Sequence, residues 1–147
     1  MLFSDSRKRK IVCTSTAETV GRVSGFVVDP ALRRVVAVTV KKSQDGDTLA
    51  WPQISGFGPD AVTIAAPDDI GSADEAVAAL LGKRHAVLRK QVLSSDGDRL
   101  GEVTDVDFDP ETGAIEAVLV DGAPVDGARL IGVGSFAVVV KAAPDTP

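Results

Sequence analysis

Residues 19–40, TVGRVSGFVVDPALRRVVAVTV, overlay residues 99–120, RLGEVTDVDFDPETGAIEAVLV, at a constant offset of 80 positions. Gly21 meets Gly101, Val23 meets Val103, Phe26 and Val28 meet Val106 and Phe108, and Asp29-Pro30 meets Asp109-Pro110. Further on, ISGFGPDAVTI (54–64) overlays LIGVGSFAVVV (130–140) at an offset of 76, so the second copy is four residues shorter around positions 43–48 of the first. A Gly and an Asp-Pro shared by chance carry little weight. Two collinear blocks separated by one deletion carry much more, and they indicate a tandem repeat of about 65–70 residues that governs every later reading.

Each copy reads as strands. Residues 22–28 and 102–108 alternate apolar and non-apolar positions, the period of a half-buried strand. Asp-Pro then stops the strand, because Pro has no amide to donate and Asp caps free backbone N–H groups. Residues 34–41 and 114–121 return as Val-rich strands. Gly113 suits a left-handed turn position, so DPETG forms a tight hairpin loop. Arg33 stands at that place in the first copy, which predicts a different turn there. Shorter strands are expected near 48–51, 61–65, 127–131 and 136–141, giving a small, partly open barrel per copy.

Between the copies, Ser72-Ala73-Asp74-Glu75 has the capping-box pattern, with Ser72 as the expected N-cap. Ala76, Val77, Leu80 and Leu81 follow at helical spacing, and Gly82 ends the run. The expected organisation is a flexible tail over 1–8, a barrel over 9–66, a linker with a short helix over 67–83, a second barrel over 84–141 and a tail over 142–147. The fold class is all-β: two tandem small barrels joined by a short α-helix. A pseudo-twofold pairing is expected, since neither barrel alone buries much apolar surface.

Composition narrows the function classes. The 147 residues carry a formal net charge of −5, which repels phosphate backbones and disfavours nucleic acid as a partner. Five Phe, one Trp and no Tyr leave the core to aliphatic side chains. Cys13 is the single cysteine, so the chain forms no internal disulfide and suits a reducing compartment, with the cytoplasm as the expected location. No apolar run approaches the roughly 20 residues that span a bilayer.

In residues 80–120, LLGKRHAVLRKQVLSSDGDRLGEVTDVDFDPETGAIEAVLV, the pairs Asp96-Gly97 and Asp105-Val106 and the block Leu100-Gly101-Glu102-Val103 stand out. With them, this stretch resembles the PRC-barrel family. The first copy is a more divergent match: it keeps Val20-Gly21-Arg22-Val23 but has Ala17-Glu18 in place of the Asp-Gly loop. Its LAWPQISGFGPDAVTI (49–64) resembles the family's closing segment. The resemblance implies small barrels whose shared theme is docking. Such barrels occur in the cytoplasmic domain of the photosynthetic reaction-centre H subunit, in a ribosome maturation factor and as stand-alone proteins. The H subunit's membrane helix and the maturation factor's other domain have no counterpart here, so neither role is expected.

Candidate sites are few. Asp105, Asp107, Asp109 and Glu116 fall on ligand positions of a calcium loop, but Pro110 occupies the place that needs Gly, and strands rather than helices flank it. On a strand these carboxylates spread too far to wrap one ion, so a solvated acidic face is expected and no metal or cofactor. Asp107 and Glu116 correspond to Val27 and Val36. With regular register those two valines sit opposite each other on an apolar face expected to be covered by the second copy, the linker helix or another subunit, the alternative being a small exposed apolar patch. Val27 and Val36 are therefore the candidate interface. Cys13 and His85 lack the partners for nucleophilic or zinc chemistry, and GFGPDA (56–61) lacks the helix and Lys of a phosphate loop. No catalytic residues are assigned and no enzyme is expected. Trp51 is expected in core packing, and the basic run Arg7–Lys10 in solvent. The leading reading is a non-enzymatic adaptor that docks to a protein partner or a second copy of itself. The alternative is an accessory factor that binds ribonucleoprotein through Arg7–Lys10 and the basic cluster Lys83-Arg84-His85 with Arg89-Lys90.

Overall fold

A computed structural model describes residues 1–81 and 86–142. The fold is all-β, with two tandem small barrels joined by a short helix. In the first half, β1 (Lys10–Cys13), β2 (Glu18–Asp29), β3 (Arg34–Lys41), β4 (Thr48–Ala50), β5 (Ile54–Phe57), β6 (Val62–Ile64) and β7 (Ile70–Gly71) form one sheet in the order β5-β6-β1-β2-β3-β4-β7. In the second, β8 (Gln91–Ser94), β9 (Arg99–Phe108), β10 (Ile115–Val120), β11 (Ala123–Asp126), β12 (Leu130–Val133) and β13 (Val138–Val140) follow the order β11-β10-β9-β8-β13-β12. In each sheet all neighbours run antiparallel except one pair, β1 with β6 and β8 with β13.

The two halves repeat each other down to their irregularities. Pairing skips Val20, Ser24, Val36 and Ser55 in the first half and Leu100, Thr104, Glu116 and Ile131 in the second. Each is a one-residue bulge that bends the strand and helps a short sheet curl. The lead-in matches too. Lys8 (φ 68°) donates its N–H to Val23 O at 2.7 Å, as Arg89 (φ 67°) donates to Val103 O at 2.8 Å. Arg33 does not change the turn, contrary to the sequence expectation. It takes φ 53° where Gly113 takes 80°. Its backbone carbonyl accepts from Ile115 N–H at 2.9 Å and its Nε donates to Leu130 O at 2.9 Å, contacts that hold a non-glycine residue in the left-handed region.

Those contacts lie on the seam between the halves, which is reciprocal. Val35 N–H donates to Gly113 O at 2.7 Å while Ile115 N–H donates to Arg33 O, so the β2–β3 and β9–β10 hairpins pair antiparallel through equivalent residues. A side chain on Gly113 would press within 2.8 Å of Val35 O and 3.1 Å of the Trp51 ring. Side-chain symmetry breaks at Trp51. Trp51 fills the seam, and its counterpart is Gly127, where a Cβ would lie 1.9 Å from Ile115 O.

The main apolar core runs through both halves. Phe108 is its centre, with ring centroids 5.4 Å from Phe3, Phe26 and Phe57 and 6.1 Å from Trp51. Five of the six aromatics are thus spent on this shared core, Phe136 being the exception. The expected boundaries change in consequence. Residues 1–8 are not a free tail: Phe3–Ser6 form a helical turn, α1, and Phe3 is 2% exposed with its ring stacked 4.0 Å from Phe26. The linker helix, α2, spans Glu75–Ala78 and is capped by Asp74, not Ser72, with Asp74 Oδ1 accepting from Val77 N–H at 2.8 Å. Gly82, His85 and the Lys83-Arg84 pair lie outside the described residues, as does the end of the 142–147 segment.

Candidate docking surfaces

The acidic strand is a docking rail for the chain's own start. Ser4 donates to Asp105 through both its N–H, at 3.1 Å, and its hydroxyl. Leu2 bridges to Asp107, and the terminal ammonium lies 2.8 Å from Asp107 Oδ1. Asp109 Oδ1 accepts from Glu111 N–H at 2.8 Å and shapes the turn. Glu116, on its bulge, points to solvent. The structure does not gather these carboxylates around one point, and among the described residues no group of three or more His, Cys, Asp or Glu could hold a metal ion. The expectation of a solvated acidic face is corrected. Asp105 is buried beneath α1, and a buried carboxylate persists where donors satisfy it. Replacing Asp105 with Ala should lower unfolding free energy by about 2 kcal/mol in a urea titration; an unchanged midpoint would show that α1 is not held there.

The same positions of the first half carry a different cover. Val27 is 3% exposed and packs with Ala37 and Val77, while Val36, Ala73, Leu80 and Leu81 pack around them. The linker helix therefore lies across the β2–β3 face. The regular register expected from sequence does not hold. Val27 pairs with Ala37, and Val36 is the bulged residue. The arrangement is an exchange: the lead-in to the first barrel covers the second, and the lead-in to the second covers the first. Val27 suits the apolar helix; Asp105 and Asp107 suit Ser4 and an ammonium.

The remaining sequence candidates are structural. Cys13 is fully buried, with Sγ 3.1 Å from Ser15 Oγ, a hydrogen bond that lowers the thiol's pKa but leaves it shut away from reagents. Trp51 is buried in the seam. The basic run is divided: Arg9 donates to Gly58 O at 2.9 Å and Asp5 O at 2.9 Å and lies over the Phe57 ring, while Arg7, Lys8 and Lys10 are exposed.

Among the described residues, two of the apolar surfaces bear on docking. The first is the outer face of β8, β13 and β12. Phe136, at the tip of the β12–β13 hairpin, is 73% exposed and Ile131 is 50% exposed. Leu93 and Val139, neighbours across the parallel pair, lie between them half-buried. Gly132 and Gly134 floor a groove of about 490 Å³ here, with open space above both. Lys90 Nζ donates to Gly134 O at 2.7 Å, bringing a positive charge to the hairpin tip. The first half offers nothing equivalent, because Phe136, Ile131 and Val139 correspond to Asp60, Ser55 and Thr63. The second surface is a groove of about 330 Å³ between α2 and the β2–β3 hairpin, walled by Leu32, Val36, Val77 and Leu80, with Asp29 and Asp74 at its rim. Sequence reasoning did not single out Phe136 or Ile131. The signal was present in the second overlay block, where Asp60 against Phe136 is the same kind of mismatch as Val27 against Asp107.

These surfaces lie on two small barrels whose matching positions are set by turns and bulges. Residues 83–145 match the family model of the PRC-barrel domain, just under half of the chain. No curated protein matches the chain. Among the described residues, no helix is long and apolar enough to cross a membrane.

Proposed function

We propose that the chain is a tandem duplication of a PRC-barrel and works as a non-enzymatic adaptor, docking a protein partner on the outer face of its second half. The observation that carries this reading is the apolar set Phe136, Ile131, Val139 and Leu93 on one sheet face, with polar residues at three of the four equivalent positions of the first half. A Phe left 73% exposed at a hairpin tip buries little of its surface within this fold, and clustered exposed apolar side chains mark interaction sites. Aromatic anchors of this kind dominate binding energy where a pocket receives them. The absence of an enzyme role is part of the proposal: the reading assigns no nucleophile–base pair, and its one buried thiol is closed off.

The test is affinity capture from the source cell's extract with wild-type and Phe136→Asp baits, Asp being the residue at the equivalent position 60. The variant should fold with unchanged melting temperature, since the side chain is exposed, and lose its partner by about tenfold or more. Equal capture by both baits would end this reading. The ribonucleoprotein alternative retains Arg7, Lys8 and Lys10 as exposed cations, whereas Arg9 is occupied within the fold.

A further inference from the structure

We propose that the occupant of the α2 groove is Phe136 of a second copy of this chain, so that copies join head to tail. The inference rests on the adaptor reading, in that it uses the same outward face, and it names the partner. Phe136 is 73% exposed and therefore does not fill its own molecule's groove. The groove, at about 330 Å³, is roomier than the cavity of about 150 Å³ that accepts a benzene ring. Its walls are largely apolar, with Trp51 and Pro52 beside the aliphatic Leu32, Val36, Val77 and Leu80, a lining that suits an aromatic knob.

Charge matches as well. The hairpin tip carries the Lys90 ammonium, bonded to Gly134 O. The groove rim carries two carboxylates, Asp29 and Asp74, each of which uses Oδ1 for a local backbone N–H. Arg34 also lines the groove, but its guanidinium is directed to Thr112 O at 2.8 Å, across the seam. Opposite charges at a rim set orientation and partner choice.

The duplication supplies the control. Where the second half gained its knob, the first half has Asp60; where the first half has its groove, the second has Thr112, Glu116 and Asp126 in place of Leu32, Val36 and Ala50. Each half thus lacks the feature that the other presents, and each chain carries one knob and one groove. A contact between unlike patches is heterologous and continues from copy to copy until a ring closes.

Sedimentation of the purified full chain tests this, from about 1 µM to about 300 µM, the span over which a contact of modest area dissociates. The weight-average mass of wild type should rise above 15.2 kDa with concentration. Phe136→Asp spoils the knob. Ala76→Arg places a bulky cation in the groove from an exposed helix position, so folding is spared. Each variant alone should stay at the monomer mass, weakening association by about tenfold or more. An equimolar mixture should form a single one-to-one pair, because one variant keeps the groove and the other keeps the knob. A wild type that stays monomeric throughout, oligomers insensitive to either change, or a mixture that fails to pair would each overturn the inference. A monomeric wild type whose capture of another protein still depends on Phe136 would overturn this inference alone and leave the adaptor reading standing.

Discussion

Replacing Phe108 with Ala is expected to cost about 3–5 kcal/mol, the range for emptying a buried aromatic site, and to lower the melting temperature by about 10 °C or more. The size of the effect follows from position. Phe108 is fully buried and its ring touches four others, two of them edge-on, in a cluster that draws on α1, β2, β5, the Trp51 turn and β9. These elements belong to both halves, so the cavity opens in the seam and cannot be closed by one barrel relaxing alone. Both halves should therefore unfold in one transition, at a lower temperature. A split into two transitions, or a loss below about 1 kcal/mol, the cost of a single buried methylene, would contradict the shared core.

Val27→Asp is the second large effect. It writes the second half's residue, Asp107, into the first half's frame. Asp107 is tolerated because it is half-exposed and meets an ammonium 2.8 Å away. Val27 is 3% exposed and meets Val77 and Ala37. A carboxylate there loses its water and gains no donor, which costs several kcal/mol or forces α2 off the face. The expected result is a loss of about 4 kcal/mol in chemical denaturation, together with cleavage by protease within 72–81, the stretch that docks on this face. Unchanged stability would show that α2 does not cover Val27.

Much of the fold was legible because residues 19–40 overlay residues 99–120 and so give two aligned observations of one hairpin. The offset of 80 located both long hairpins, and Gly113 located the turn. The bulges were not legible. Period-two alternation reports which face a residue takes, but a skipped residue at Val36 or Glu116 changes register without changing composition. Arg33 hid the left-handed turn because tertiary contacts, not its own preference, hold it there. The role of residues 1–8 was hidden for a different reason. The charges at 7–10 dominate any local reading, whereas the partners of Phe3 and Ser4 lie about a hundred positions away. Asp105 and Asp107 were visible as the odd residues of their copy, but a carboxylate facing a donor and one facing water look alike in sequence. The candidate site was half legible: Val27 and Val36 pointed to the covered face, and the exposed knob at Phe136 needed the second overlay block to be compared residue by residue.

The account stands on a closed seam, since an open one would expose further apolar surface beside the outer face of the second half and the α2 groove. Hydrogen exchange of the native full chain tests this most directly, read at the Val35 and Ile115 amides, whose reciprocal bonds to Gly113 and Arg33 join the halves. Both should exchange only with global unfolding, at the same rate as the core amides Val23 and Val103. Exchange of Val35 and Ile115 well ahead of the core would mean that the seam opens by itself, and would contradict the account.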